Sequence, residues 1–242
     1  MSVPRLDILI NIADLASHSI VLDPCAGIGT INIRASLQSH YGLGGELVHS
    51  LFQVHAPYFL ECNKKFQQLQ RKGVVDMAGW DATMMPLRDS FVDAVISDIP
   101  FGTLRWKFSL FPWPVFTEVL CPVSFKGQKC LTHNELHSFM SGFIYECARV
   151  LTRNSGKMVL LCGDCDIVVK ALASLNERIL RNRNNGSDDD VVFHLPCESI
   201  FPVNISGILA WIVVVRRGRA MPLPSTQYRG RTKPKNRISY AR

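Results

Sequence analysis

Residues 92–102 read Val-Asp-Ala-Val-Ile-Ser-Asp-Ile-Pro-Phe-Gly, an apolar run that ends in an acid followed by Ile-Pro-Phe. This pattern suits the capture of a planar amine. An amino group conjugated to a base ring is a poor nucleophile, because its lone pair is delocalised into the ring. Asp98 and the Ile99 carbonyl can accept its two N–H bonds and aim that lone pair at an electrophile. Pro100 holds the carbonyl's direction, since proline fixes its own φ and restricts the residue before it. Phe101 offers a face on which a flipped base can stack. Asp98, Ile99, Pro100 and Phe101 are the expected catalytic group.

About 70 residues earlier, Ile20-Val21-Leu22-Asp23-Pro24-Cys25-Ala26-Gly27-Ile28-Gly29-Thr30 places an acid and a Gly-rich turn after an apolar run. Gly27 and Gly29 allow close approach of backbone to a ligand, and a following helix would offer free N–H groups to an anion. A dinucleotide fingerprint needs a third glycine, but position 32 is Asn. Asp23 would also repel a pyrophosphate. S-adenosyl-L-methionine fits better, because it pairs a carboxylate with an ammonium and a sulfonium that welcome nearby negative charge. Asp23, Pro24, Ala26, Gly27, Gly29 and Thr30 are the expected cofactor turn, with Asp98 at its far side. Two further acids complete the expectation. Glu61, ending an apolar Tyr58–Glu61 run, is placed to accept both ribose hydroxyls. Asp81, in Gly79-Trp80-Asp81-Ala82, is placed to accept the adenine amino group, with Ala82 beside the ring.

These residues must be positioned by strands that alternate with helices. Ser19–Asp23, Tyr58–Glu61, Val74–Trp80, Val92–Asp98, Lys157–Cys162, Val191–Pro196 and Ile208–Val215 read as strands. Helical patterns lie at the N-terminus and near 29–38, 62–72, 134–151 and 164–182, the third of these four with one long apolar stripe from Leu136 to Leu151. The alternation predicts a doubly wound, mostly parallel α/β sheet of seven strands. A turn near Asn204–Gly207 would close it with an antiparallel hairpin of the last two strands. Residues 40–57 read as a long connection. Residues 103–133 form an insertion rich in Trp and Phe, either packed on the domain's own core or serving as a base platform or partner surface.

The chain has 242 residues, 47% of them hydrophobic, enough for one domain spanning 1–217. The net charge of +7 comes from the end: residues 216–242 hold nine Lys or Arg and no acid, leaving a net −2 in residues 1–215. The 218–242 segment has prolines and no apolar periodicity, so it is expected to be a disordered basic tail. It would grip phosphates, solubilise the domain or address it to the nucleus. Eight scattered cysteines fit reduced thiols, and Cys162 and Cys165 alone do not make a metal site, so no metal is expected. Apolar stretches are too short to span a membrane, and the N-terminus, with Asp7 and Asp14 in its apolar run, is no signal peptide. A cytoplasmic location, with the nucleus as an alternative, follows.

At DPCAGIGT (23–30), DATMMPLRDSFVDAVISDIPFG (81–102), CARVLTRNSGKMVLLCGD (147–164) and ISGILAWIVVVRR (205–217), the chain resembles the THUMP-domain guanine-N2 RNA methyltransferases. These form part of the Rossmann-like, S-adenosylmethionine-dependent class. The resemblance covers most of residues 4–216. It implies cofactor contacts at Asp23, Gly27, Gly29, Glu61 and Asp81, a catalytic Asp98–Phe101 loop, and formation of N2-methylguanosine in RNA, tRNA first. It also implies a small zinc-binding activator subunit as partner. Three departures stand out: the spacing Cys25-Ala26-Gly27, the length of the insertion, and a start at Met1 close to the first catalytic helix, with no preceding THUMP region. The last implies a fragment, a shortened product, or substrate binding through the tail and a partner. Adenine-N6 methylation of nucleic acid is the alternative chemistry. Asp98 leans toward guanine, whose N1–H and N2–H can both donate to it, whereas adenine N1 accepts. A catalytically silent binding module is the alternative from another class.

Overall fold

In the computed structural model, residues 3–47, 49–70, 72–99, 133–184, 193–205 and 207–219 are described. Helix α1 (Val3–Ala13) buries Leu6, Leu9, Ile10 and Ala13, a 3–4 spacing that puts one stripe on the sheet. Strand β1 (Ile20–Asp23) runs through the glycine turn into α2 (Thr30–Leu37). There follow β2 (Tyr41–Glu46), α3 (His49–Gln68), β3 (Val74–Gly79), β4 (Ala94–Asp98), α4 (His133–Val150), β5 (Lys157–Cys162) and α5 (Cys165–Asn184). The short β6 (Phe193–His194), then β7 (Cys197–Ile205), β8 (Ile208–Arg216) and the short β9 (Gly218–Arg219) end the described chain.

Seven strands pair in the order β3-β2-β1-β4-β5-β8-β7. All the pairings from β3 to β5 are parallel, and β8 runs antiparallel to both β5 and β7. The expected mostly parallel, seven-stranded Rossmann-like sheet with a C-terminal hairpin is the one observed. Helices cover both faces: α4 and α5 pack on Leu22, Val95, Met158, Leu160 and Val213, while α1 and α2 pack on Val21, Ile96, Val159 and Val214. The strand order reverses between β1 and β4, so their carboxyl ends open a crevice at the switch point.

Three expected elements change. The second strand is Tyr41-Gly42-Leu43-Gly44-Gly45-Glu46, inside the stretch expected to be a connection, and Tyr58–Glu61 belongs to α3. Strand β2 carries no β-branched residue, and its glycines serve packing. A Cβ on Gly42 would lie 2.3 Å from the Asn32 carbonyl oxygen, and one on Gly45 would lie 1.8 Å from Trp80 Nε1. Side chains are excluded because helix and indole lie directly against the strand. In α3, Phe59, Cys62 and Phe66 are buried at helical spacing, although Pro57 stands inside the helix. The hairpin's first arm is Cys197–Ile205; of the expected Val191–Pro196 strand, Val191 and Val192 lie outside the described residues, and Phe193–His194 is extended, paired with Gly218–Arg219.

Residues 216–219 are also integrated into the fold. Arg216 bonds Glu198, and Arg217 is buried, donating to Ser90 Oγ at 3.0 Å and to the Arg149 and Leu151 carbonyls. Neither belongs to a phosphate-gripping arm. The insertion up to 132 and the tail from 220 lie outside the described residues. Among the described helices, none is long and apolar enough to cross a membrane.

Candidate active site

Asp23, Glu46 and Asp98 end three neighbouring parallel strands, and Asp81 follows the end of a fourth. The four acids therefore lie along one edge of the sheet, around the switch point. Parallel pairing produces this arrangement, because it puts every carboxyl end on the same side.

Asp23 is almost fully buried. Its Oδ1 accepts the Cys25 amide at 3.2 Å and the Ser97 hydroxyl at 2.7 Å. Burial pushes its carboxyl up to about 7, against the lowering effect of those two donors, and the Asp98 and Glu46 carboxylates add to the rise. Cys25 is held far above the usual thiol range by burial and by the Asp23 and Glu46 carboxylates, which disfavours a nucleophilic thiolate.

The glycine turn is shaped by backbone. Gly27 and Gly29 adopt φ of 53° and 73°, the left-handed region that favours glycine. The two have different jobs. A Cβ on Gly27 would meet nothing within 4 Å, so Gly27 borders open space. One on Gly29 would lie 2.0 Å from Phe59 Cζ, so Gly29 serves the packing of α3. Pro24 and Ala26 are buried beneath the turn, the Ala26 amide donating to the Gly45 carbonyl at 2.8 Å. Thr30 opens α2.

Glu46, not Glu61, ends the second strand. Its Oε2 accepts the Gly27 amide at 3.1 Å. Glu61 lies on the exposed side of α3, 4.0 Å from Lys65 Nζ. Asp81 stands where it was expected, in the turn after β3. Its Oδ1 accepts the Thr83 amide at 2.8 Å and hydroxyl at 2.7 Å, and Ala82 is buried next to it. Leu47, next to Glu46 in the chain, and Met84, three residues after Asp81, are 70% and 76% exposed.

Asp98 ends β4 with an exposed side chain, yet its surroundings desolvate the carboxyl enough to push it up to about 6. Ile99 is buried, its amide donating to the Leu161 carbonyl at 2.9 Å. Pro100 and Phe101 lie outside the described residues. The edge thus unites Asp23, the glycine turn, Asp81, Ala82, Asp98 and Ile99, and leaves Glu61 out.

Residues beyond the motifs hold the site. Glu146 Oε2 accepts the Met85 amide at 2.9 Å, and Arg149 donates to the Met85 and Leu87 carbonyls and to Asp89. Helix α4 thereby fixes the loop that carries Asp81. Both residues sit among apolar neighbours at the end of a helix, where a sequence pattern reads only a solvated charge pair.

No protein-family model matches the chain. It is 24% identical over 230 residues to the human tRNA (guanine(6)-N(2))-methyltransferase THUMP3, a match covering 90% of this chain and 36% of that protein. Among solved structures, TrmN from Thermus thermophilus aligns with a TM-score of 0.58 at 14% identity, over 90% of this chain and 49% of that one. A TehB-like SAM-dependent methyltransferase from Corynebacterium glutamicum aligns at 0.51 and 15% identity, covering 88% of this chain and 86% of that one. The [4+2]-cyclase SpnF aligns at 0.55 and 10% identity, covering 90% and 82%. The chain spans about a third of the THUMP3 relative and half of TrmN. These likenesses establish the fold, which serves more than one chemistry.

Proposed function

We propose that this chain is an S-adenosylmethionine-dependent methyltransferase that modifies the N2 amino group of guanine in tRNA. The observation that carries the reading is the edge itself: Asp23, Glu46, Asp81 and Asp98 gathered around an open glycine turn at the switch point. The likeness to a tRNA guanine-N2 methyltransferase supports the same substrate.

The residues present fit the cofactor. Gly27 borders open space, as a cradle for a ligand requires, and the acids suit a ligand carrying an ammonium and a sulfonium. Glu46 would hold the ribose hydroxyls and Asp81 the adenine amine, with Leu47, Ala82 and Met84 beside the ring. S-adenosylmethionine, when bound, supplies a methyl group activated by its positive sulfur. The chain's own part is orientation. Asp98 accepts N–H bonds from the target base and turns the amine's lone pair outward. Its carboxylate, raised to about 6, is also a fitting base for the proton that the amine sheds. Basic residues after 219 suit an RNA backbone. A small zinc-binding activator subunit would dock along β3, which is one edge strand of the sheet among the described residues.

The test is methyl transfer from labelled S-adenosylmethionine to total tRNA, spliceosomal RNA, rRNA and DNA, with products digested to nucleosides. Labelled N2-methylguanosine from tRNA is expected. Labelled N6-methyladenosine would replace the guanine assignment. Cofactor binding without transfer to any substrate, even with the activator, would favour a silent module.

A further inference from the structure

Ser97 is a hydroxyl within an apolar strand. It is wholly buried between Ile96 and Asp98, where an unsatisfied hydroxyl is costly. Its Oγ donates to Asp23 Oδ1 at 2.7 Å, from β4 to the end of β1. The same oxygen accepts the Cys25 amide at the start of the glycine turn. One carboxylate oxygen thus holds both the ligand turn and the residue immediately before Asp98. On the other side, Ile99 is pinned through its amide to the Leu161 carbonyl on β5 at 2.9 Å. Asp98 is the single residue between two anchored neighbours.

We propose, resting on the cofactor reading above, that Ser97 is a positioning residue which transmits occupancy of the cofactor side to Asp98 through Asp23. The titratable groups that face Asp23 are Cys25 in the turn, Glu46 on β2, Asp98 on β4 and Cys147 on α4. These are acids and thiols, so a bound cation is what favours the ionised form of Asp23. A charged acceptor holds an O–H donor roughly twice as strongly as a neutral one. Occupancy therefore tightens the Ser97–Asp23 bond and draws the Asp98 segment into a fixed position. Burial keeps the Asp23 carboxyl up at about 7, and the Ser97 bond works against that rise.

The test uses the full chain, S-adenosylmethionine and pooled tRNA. Ser97→Ala removes the hydroxyl, Ser97→Cys keeps its shape with a weak donor, and Ser97→Thr retains it. Turnover should fall roughly 10-fold or more in the Ala and Cys variants, as expected when a reacting contact is misplaced. Their cofactor Kd at pH about 9, where Asp23 is ionised before binding, should stay within about threefold of wild type, and Ser97→Thr should recover most of the turnover. A second readout is independent of activity. Calorimetry in two buffers of different ionisation enthalpy counts protons released on cofactor binding near pH 7. Release should rise in Ser97→Ala, because Asp23 there holds its proton more tightly before binding. Wild-type turnover with unchanged proton release in the Cys variant would overturn the proposal, as would turnover, Kd and thermal midpoint falling in parallel. A wild-type chain that binds no S-adenosylmethionine would overturn the cofactor reading and this inference together. A wild type that methylates while the variants match it sinks this inference alone.

Discussion

The Gly27 amide donates to the Glu46 carboxylate at 3.1 Å, joining the turn after β1 to the last residue of β2. The contact sets Glu46 apart from Glu61, the acid expected to end the second strand. Glu46 sits against the open turn, whereas Glu61 is held on a helix surface beside Lys65.

The first prediction follows from that pair. Glu46→Ala should weaken S-adenosylmethionine binding by about 1–3 kcal/mol, the scale of lost hydrogen bonds to a charged group. Glu61→Ala should leave the affinity unchanged. Calorimetric titration of both variants decides the matter, and a reversed ranking would refute the placement of the ribose.

The two glycines should fail in different ways. Gly29→Ala puts a Cβ into the Phe59 ring at a positive φ, so it should lower the thermal midpoint by several degrees. The same clash precedes any effect of a longer side chain such as Arg on the ligand. Gly27→Ala meets no atom within 4 Å, so it should bear only the smaller strain of its positive φ and cost mainly cofactor affinity. Melting curves with and without S-adenosylmethionine separate the two. Equal destabilisation by both variants would contradict the division of roles.

Much of this arrangement is legible in the sequence. The strand-to-acid runs at Asp23 and Asp98 are apolar and end sharply, so pattern alone places both acids. The second strand is hidden for a physical reason. Its residues were selected for closeness: Gly42 admits the α2 backbone and Gly45 the Trp80 indole. A strand without side chains to bury shows no alternation, and the neighbouring Tyr-Phe-Leu-Glu run then looks like the better candidate. The spacing of Phe59, Cys62 and Phe66 carried the helical signal, masked by Pro57. Ser97, Glu146 and Arg149 act through contacts distant in sequence, which no local pattern encodes.

Asp23 gives a stability prediction with a definite sign. Its folded pKa of about 7 lies above the ordinary 3.8, so the folded state holds the proton more tightly than the unfolded one. The resulting contribution is complete below about 3.8 and is lost as pH rises to about 7. Asp23→Asn keeps an oxygen for Ser97 and Cys25 and cannot ionise. It should therefore gain stability over wild type through that window, by a few kcal/mol at most, and hold the gain above it. The same variant should bind S-adenosylmethionine more weakly. Urea midpoints at pH about 4, 6 and 8 check the sign, and a gain that shrinks with rising pH would be inconsistent with a buried, raised carboxyl.

The sheet edge makes a prediction about partners. Among the described residues β3 pairs only with β2, and Val74 on it is 44% exposed. An activator subunit that adds a strand there should protect the amides of 74–79 from hydrogen exchange and improve the yield of soluble protein. Exchange measured on the chain alone and in the complex gives the answer. Protection confined to other strands would move the docking site elsewhere.

The last prediction concerns the reacting end. Asp98→Ala should leave S-adenosylmethionine bound and reduce methyl transfer by about 10²-fold or more, the scale for losing one preorganised polar contact to the reacting group. Asp98→Asn offers one neutral acceptor oxygen and should retain partial activity if orientation matters more than charge. Phe101→Ala should reduce turnover through lost stacking, worth about 1–3 kcal/mol, with Phe101→Tyr near neutral. The pH profile supplies an independent measure. Asp98 must be ionised to accept both N–H bonds, and its carboxyl is raised to about 6 by desolvation. The acid limb of kcat/KM for RNA at saturating S-adenosylmethionine, where Asp23 is already ionised, should therefore bend near pH 6, with activity lost below it and retained above. In Asp98→Asn that bend should disappear from whatever activity remains. An unchanged acid limb in this variant would assign the titration to another group, and a wild-type rate in Asp98→Ala would place the chemistry away from β4.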